Sequence, residues 1–282
     1  MRQKKLRASS LIGKTCKIIF LVFFAIVVIT PLVWVVITSF KTKKEMYVFP
    51  IRYLPDNFYL ENYENIIRVG NFGQYFRNSV FLALAAPFLT IIFSTMAAYV
   101  LTKVRFRGSK LVMLFFLMTQ MLPTAGAITS MYILLARIGM IDKLSTVVLL
   151  IMAGGIPFST LMLQGFLTGI PDSLEESALI DGCDRIRSFI YIILPLLKAG
   201  MFTVFIFQFI TAWNDVYTSV LYINSDRYRT LPVAIYSFVG KYDINWGTVS
   251  AGTMISLIPI IILFGIMKDL FVEGITSGAV KG

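Results

Sequence analysis

Long stretches of this 282-residue chain contain no Asp, Glu, Lys or Arg. They cover residues 18–40, 78–102, 111–136, 144–171, 199–214 and 244–267. A helix rising 1.5 Å per residue needs about 20 residues to cross about 30 Å of hydrocarbon, and all but one of these stretches exceed that length. The exception is cut short by Asp215, beyond which the apolar character resumes. We therefore predict an all-α polytopic membrane protein with six transmembrane helices.

The predicted organisation is a single transmembrane domain over residues 1–282 that begins with a basic cytosolic arm at 1–17. The spans are expected at about 18–40, 78–102, 111–136, 144–168, 198–222 and 248–267. Short basic clusters precede the first span and follow the second, and the positive-inside rule places both in the cytosol. The chain is therefore expected to cross the cell membrane several times. Because the number of spans is even, the N- and C-termini are both expected in the cytosol.

The composition argues against most catalytic and nucleic-acid functions. The chain has 26 Lys plus Arg against 15 Asp plus Glu, a net charge of +11, but only 15% of its residues are charged. We assign this surplus to topology and to contact with anionic lipid headgroups, and expect no nucleic-acid partner. The sequence has no His and only two Cys, Cys16 and Cys183. Metal sites with His ligands, His-based catalytic triads and a disulfide framework are therefore excluded, and neither a catalytic nor a metal site is expected.

One short sequence resembles part of a nucleotide-binding loop but lacks its context. Gly13-Lys14-Thr15 matches the end of the pattern G-x-x-x-x-G-K-[ST], but its first glycine would have to stand where Ala8 does. A membrane span also follows at once, which leaves no scaffold to hold phosphates. If this chain acts with ATP, the ATP site is expected on a partner.

The segment between the fourth and fifth predicted spans has the pattern of helix, turn and helix. Ser173 and Glu176 have the S-x-x-E spacing of a capping box, which predicts a helix beginning at Ser173. Gly182 is suited to a positive φ just beyond the end of that helix. Asp184 is a candidate cap for a second helix, which Pro195 is expected to disrupt.

Two interpretations of this segment stay open on its residues alone. It can be a capped connection between two spans. It can also fit a groove on a cytosolic partner, because Ser177 and Ala178 are small and would leave a low surface beside exposed carboxylates.

The same segment resembles the EAA motif of the membrane subunits of binding-protein-dependent ABC importers. The match consists of Glu176-Ser-Ala-Leu-Ile-Asp-Gly182-Cys, then nine residues after Gly182, then Ile192-Ile-Leu-Pro195. Ser177 and Cys183 replace the alanines usual in that motif. Three further stretches resemble the carbohydrate-uptake branch, in particular its maltose-type second permease. They are Thr38-Ser-Phe-Lys-Thr with Phe49-Pro50, Trp213-Asn-Asp215 with Thr230-Leu-Pro232, and the tail from Phe271 to Gly282.

This resemblance implies the type I ABC importer permease fold and a non-enzymatic role in importing a carbohydrate, in particular an oligosaccharide. The implied partners are a homologous second permease, two cytosolic ATPases that bind ATP and Mg, and an extracellular solute-binding protein. No cofactor is expected on this chain itself. The resemblance also makes residues 171–195 a coupling segment that docks on the ATPase. Its coupling residues are Glu175, Glu176, Ser177, Ala178, Asp181, Gly182, Ile192, Leu194 and Pro195.

The candidate solute-pathway residues are Trp213, Asn214 and Asp215. An acid within a membrane span is a functional hypothesis by default. Counting from Lys198 at the inner surface, Asp215 lies roughly 25 Å across the membrane, near the outer interface. There it either contacts solute or pairs with an arginine or water at the headgroup level. Trp213 could stack on a sugar ring or act as an interfacial anchor.

Two other functions remain as alternatives. An ABC permease for a solute other than a sugar would share the EAA motif. An ion-coupled secondary transporter is less well supported, because such proteins commonly show internal repeats and binding groups near the midplane.

Overall fold

The computed structural model describes residues 2–68, 71–104, 106–122, 124–239 and 244–279. Side chains are described for residues 13–68, 71–104, 106–122, 126–239 and 244–268. No side chains are described for the tail stretch 271–282, for Pro123 or for the first residues of the basic arm. Apart from one isolated bridge between Val239 and Ile244, the described residues form no β-structure. The predicted all-α class is confirmed.

The helices follow one another along the chain with short connections. In order they are α1 Arg2–Ser39, α2 Lys43–Met46, α3 Glu61–Arg68, α4 Phe72–Tyr99, α5 Ser109–Met121, α6 Ile128–Arg137, α7 Leu144–Leu167, α8 Asp172–Ile180, α9 Arg185–Ser188, α10 Leu194–Leu196, α11 Lys198–Trp213, α12 Tyr217–Tyr222, α13 Leu231–Tyr236 and α14 Trp246–Ala279. Two π-helical turns, Val100–Val104 and Phe189–Ile193, directly follow α4 and α9. Short 3₁₀ turns occupy Thr124–Ala127 and Asp226–Tyr228.

Several of these helices have the length and composition of membrane spans. Within the described part of the chain they are Gly13–Ser39, Phe72–Val104, Leu144–Leu167 and Trp246–Lys268. The helices over Arg185–Leu196 and Lys198–Trp213 add a fifth span if they are counted together, although they meet at an angle of 72°. The described residues thus give four or five spans, and the count of six stays a prediction.

The third predicted span, 111–136, is divided into the two short apolar helices α5 and α6. Leu122 ends α5 in an extended conformation, with φ −78° and ψ 128°. It precedes Pro123 in the sequence, and a residue before proline is disfavoured in the α region because its backbone clashes with the proline ring. The break therefore has a local cause that hydrophobicity alone does not reveal.

The fifth predicted span, 198–222, is also divided, here between α11 and α12. The Asp215 carboxylate accepts hydrogen bonds from the backbone N–H groups of Thr218, at 3.2 Å, and Ser219, at 2.9 Å. A side chain that binds the first N–H groups of a helix starts that helix anew. Asp215 thus begins α12 and ends the continuous span.

The chain forms two compact units where the sequence predicts a single domain. The first comprises Met1–Val69 and Ser237–Ile255, and the second comprises Gly70–Tyr236 and Ser256–Gly282. In the first unit, the buried Lys41 ammonium donates to the carbonyl oxygen of Arg52 at 2.5 Å. The amide of Asn62 donates to the carbonyl oxygen of Lys41 at 2.9 Å. Lys41, which belongs to the stretch that begins at Thr38, thus organises the loop after α1.

The core of the second unit lies among α4, α7 and α11. Ala83, Ala86 and Ala98 on α4 are fully buried, and such small residues let membrane helices approach closely. One apolar cluster surrounds Trp213, and another joins the ends of α4 and α7 to the chain around Ile193. The second cluster supports the segment that begins at α8.

The loop between α6 and α7 is fixed to the chain that follows α12. Asp142 accepts hydrogen bonds from the backbone N–H groups of Ser225, at 2.8 Å, and Asn224, at 3.0 Å. The Ser225 bond is the main cause that lowers the pKa of this carboxyl below its ordinary value. The Asp142 carboxylate therefore links the loop between α6 and α7 to the chain that follows α12.

Candidate functional site

Helix α8 begins with a contact that its local sequence does not show. The predicted capping box of Ser173 and Glu176 is wrong, because the helix starts at Asp172 and Pro171, which makes no side-chain cap hydrogen bond, occupies the N-cap position. Instead, the Lys103 ammonium donates to the Asp172 carboxylate at 2.6 Å and to the carbonyl oxygen of Ile170 at 2.7 Å. This tertiary contact fixes where the chain enters the helix.

The end of α8 is a glycine turn, as the sequence predicts. Gly182 has φ +86°, which is in the left-handed region. Its N–H donates to the carbonyl oxygen of Leu179 at 3.2 Å, and the N–H of Cys183 donates to that of Ala178 at 3.0 Å. This pair of bonds is the Schellman motif, which reverses the chain sharply after a helix.

The second helix of the segment is also capped as predicted. The Asp184 carboxylate accepts from the N–H of Arg187 at 2.7 Å at the start of α9. The sequence places the disruption of this helix at Pro195. The structure keeps Pro195 inside α10 and puts the 72° bend after it, between α10 and α11.

The nine predicted coupling residues do not share one surface. Those on the exposed tip are Glu176, Ser177, Asp181 and Gly182. Glu175 and Ala178 are buried against the rest of the protein, so Ala178 does not form the low exposed surface that its size suggests. Ile192 and Leu194 are half-buried, and Pro195 is exposed. Leu194 and Pro195 line a separate apolar cleft of about 710 Å³ beside α4, α11 and α14.

Two isoleucines on the tip were missed by the sequence reasoning. Ile180 is 85% exposed and Ile186 is 70% exposed, in the same segment as the exposed residues Glu176 and Asp181. Exposed apolar side chains with polar residues around them are a common feature of interaction sites. The signal available in the sequence was an isoleucine immediately before the predicted turn. Together these groups can insert into an apolar groove while the carboxylates pair with basic residues around it.

The second candidate site is a cavity of about 490 Å³ beside the broken helices α5, α6, α11 and α12. Polar side chains line it along with apolar ones. They are Gln120, Gln208, Thr211, Asp215, Tyr217, Thr218 and Tyr222. The cavity has the size and mixed lining of a small-molecule site.

The three predicted solute-pathway residues are placed differently. Asp215 lines this cavity, while Asn214 is exposed and is not among its lining residues. Trp213 is 1% exposed, and its Nε1 donates to the carbonyl and the hydroxyl of Ser256, both at 3.0 Å. Its ring stacks on Phe209 with centroids 5.9 Å apart. Trp213 therefore supports the wall of the bundle and does not face the cavity.

The cavity also contains a close approach that the sequence does not predict. Gln208 donates to the hydroxyl of Ser159 at 3.0 Å. Its side-chain oxygen would lie 2.5 Å from a Cβ added at Gly155, whereas a Cβ at the neighbouring Gly154 would meet no heavy atom within 4 Å. An alanine at Gly155 would thus force the Gln208 amide to shift, whereas an alanine at Gly154 would not.

Comparison with known proteins identifies the family. Residues 90–277 match the family described as the inner membrane component of binding-protein-dependent transport systems. The chain is 31% identical to the diacetylchitobiose uptake system permease protein DasC of Streptomyces coelicolor, over 97% of this chain and 99% of that protein. It is 30% identical to the trehalose/maltose transport system permease protein MalG of Thermococcus litoralis, over 93% and 94%.

A solved structure supports the same fold. A bacterial ABC transporter involved in the import of the acidic polysaccharide alginate matches with a TM-score of 0.77 at 19% identity, over 93% of this chain and 98% of that one. The predicted fold of type I importer permeases is thereby confirmed, as is the non-enzymatic role. The chain belongs to the family of inner membrane components of binding-protein-dependent transport systems.

Proposed function

We propose that this chain is one of two permease subunits of an ATP-driven importer that carries a carbohydrate, in particular an oligosaccharide, into a bacterial cytoplasm. The names of its relatives support this class of solute, since they include systems for diacetylchitobiose and for trehalose or maltose. The family description supports a solute-binding protein as a partner. The other partners in this proposal are a homologous second permease and two cytosolic ATPases. ATP and Mg²⁺ bind to the ATPases.

The observation that carries the proposal is the shape of the exposed tip. Ile180 at the end of α8 and Ile186 on α9 are exposed on either side of the left-handed turn at Gly182, in the same segment as the exposed carboxylates of Glu176 and Asp181. In the proposed complex the isoleucines enter an apolar groove of the ATPase, and the carboxylates fix the orientation. The tip then lies in the cytosol together with both termini, and the chain lies in the cytoplasmic membrane.

The coupling is mechanical in this proposal. Helix α8 follows α7 after four residues, and α9 leads through α10 into α11. When the ATPases close on ATP, they displace the tip, and the attached membrane helices move with it as rigid elements. Motion of packed helices between two discrete arrangements is an established route from a local event to a large opening.

The solute passes along the cavity that Asp215 lines. Interrupted helices around a cavity leave backbone and side-chain polar groups available for solute, as in other transporters. The glutamine, threonine and tyrosine side chains there can exchange hydrogen bonds with sugar hydroxyls. Trp213 and Asn214 contribute by holding the wall and the adjoining turn.

The test combines purification with transport. The chain is purified gently from native membranes, its partners are identified, and the complex is placed in vesicles for uptake of labelled maltose, diacetylchitobiose and longer oligosaccharides. We expect uptake that requires ATP and the binding protein. Ile180→Asp is expected to remove the ATPase from the purified complex. Ile67→Asp is the control, because Ile67 is also an exposed isoleucine but lies on α3, between the first and second predicted spans.

Two results would contradict the proposal. One is an ATPase that stays bound to the Ile180→Asp variant as well as to the wild type. The other is uptake that needs no ATP and collapses with the proton or sodium gradient, which would indicate a secondary transporter.

A further inference from the structure

A buried hydrogen bond connects α8 to the end of α4. The Tyr99 hydroxyl donates to the Glu175 carboxylate at 2.5 Å, and both residues are 7% exposed. The Tyr99 ring also packs on Phe189, with centroids 4.7 Å apart. Phe189 begins the π-helical turn after α9, so one tyrosine contacts both α8 and the turn that follows α9. Hydrogen bonds with a charged partner are stronger than neutral ones, and more so where water is excluded.

A second contact lies beside the first. The Lys103 side chain is 3% exposed, and its ammonium donates to the Asp172 carboxylate and to the carbonyl oxygen of Ile170. A buried ammonium needs such partners, since an isolated charge away from water is very costly. Lys103 belongs to the π-helical turn that follows α4, and Ile170 lies in the connection that leads into α8.

The two contacts together fix position and orientation. Tyr99 and Lys103 are four residues apart at the end of one helical segment, and Asp172 and Glu175 are three apart on α8, so each pair shares a helix face. A single contact would let α8 pivot about it. Two contacts spaced along both helices oppose that rotation and hold the start of α8 against the end of α4.

We infer that Tyr99 and Lys103 are positioning residues that lock the coupling helix to α4, so that α4 moves with α8 during transport. This inference rests on the proposed function. Chain connectivity alone links α8 to α7 and α11. The contacts of Tyr99 and Lys103 also link α8 to α4, which packs against α7 and α11 around the buried alanines. A displacement of the tip is thereby transmitted to the core of the bundle.

The test measures coupling separately from assembly. Tyr99→Phe keeps the ring on Phe189 and removes the hydroxyl, and Lys103→Met keeps an apolar stem and removes the ammonium. For each purified complex we compare the amount of bound ATPase, the basal ATP hydrolysis and the hydrolysis stimulated by the loaded binding protein. A coupling of 1–3 kcal/mol corresponds to roughly 5- to 150-fold, so we expect stimulation to fall at least about fivefold with assembly retained.

Two further variants distinguish positioning from simple stability. Tyr99→Phe with Glu175→Leu removes both polar partners, so no buried carboxylate is left unpaired and stability is expected to recover. If the lock transmits motion, stimulation stays low in this double variant. Tyr191→Phe removes a hydroxyl from an exposed tyrosine of the same segment and is expected to behave as wild type.

The outcomes separate the lock from the proposed function. Wild-type stimulation in Tyr99→Phe and in Lys103→Met would overturn the inference, and so would stimulation that returns with stability in the double variant. A wild-type complex without an ATPase would instead overturn the proposed function.

Discussion

Replacing Gly182 with alanine isolates the contribution of the turn at the tip. The residue has φ +86°, and a Cβ placed there would meet no heavy atom within 4 Å. The substitution therefore introduces no clash with a neighbour. Its entire effect comes from the backbone conformation that the new side chain disfavours.

The magnitude follows from two opposing terms. A left-handed conformation costs an ordinary L-residue roughly 1–2 kcal/mol. Alanine also lowers the conformational entropy of the states in which the turn is not formed. This effect favours the formed turn by about 0.4–1 kcal/mol. The net loss is about 1 kcal/mol, or roughly a fivefold smaller equilibrium constant for forming the turn. Asparagine tolerates the left-handed region better than alanine, so Gly182→Asn should lose less.

The assay is uptake and stimulated ATP hydrolysis by the reconstituted complex, normalised to bound ATPase. We expect activity to fall in the order wild type, Gly182→Asn, Gly182→Ala, with the alanine variant reduced by up to about fivefold, the limit set by the equilibrium constant. Gly165→Ala is the matched control, since Gly165 is helical, exposed and equally open around its Cβ position. Alanine is favoured inside a helix, so this variant should lose nothing.

Equal activity of Gly182→Ala and wild type would refute this reasoning, because coupling would then not depend on the stability of the left-handed turn. A lower activity for asparagine than for alanine would refute it as well, since backbone strain could not produce that order.

Three other predictions concern the rest of the molecule. Because the pKa of Asp142 is lowered on folding, its stabilisation is present above its ordinary pKa of 3.8 and is lost as the pH falls through the lowered value. In thermal unfolding in detergent, Asp142→Asn should therefore be less stable than wild type at pH 7, and the difference should shrink below about pH 4. Gly155→Ala should lower the melting temperature by displacing the buried Gln208 side chain, whereas Gly154→Ala should not. Equal melting temperatures of these two variants would contradict the observed packing. Asp215→Asn should keep the helix cap but change the concentration dependence of uptake. Asp215→Ala should also lower stability by about 0.5–2 kcal/mol. If uptake by the asparagine variant is unchanged, the carboxylate serves only as a structural cap.

The sequence predicted the features that depend on neighbouring residues. Charge-free stretches located the long helices, because a helix within hydrocarbon must be apolar over about 20 residues. Gly182 and Asp184 were correctly assigned to a turn and a cap, since each acts on backbone groups within a few residues.

Features that depend on distant residues were not predicted. Lys103 is 69 residues from Asp172 and Tyr99 is 76 residues from Glu175, so no local pattern indicates either contact. The start of α8 at Asp172 was likewise not predicted, and it too carries a contact from the distant Lys103.

The solute pathway shows a related limit of local reasoning. Trp213 and Asp215 are two residues apart and were grouped as candidates. One is buried against Ser256 and the other lines the cavity, because α11 ends between them. A helix end changes the direction in which successive side chains point. Here the break between α11 and α12 depends on the hydrogen bonds of Asp215 itself.

Site-specific photo-cross-linking from the tip tests most directly whether this chain is driven by an ATPase. A photo-reactive phenylalanine is placed at Ile180 and, in a control chain, at Ile266, which is 76% exposed on α14 within a predicted membrane span. We expect position 180 to form an adduct with the ATPase subunit, with a yield that changes when ATP is added, and position 266 to form none. An intact complex in which position 180 gives no ATPase adduct would contradict the coupling role of this segment.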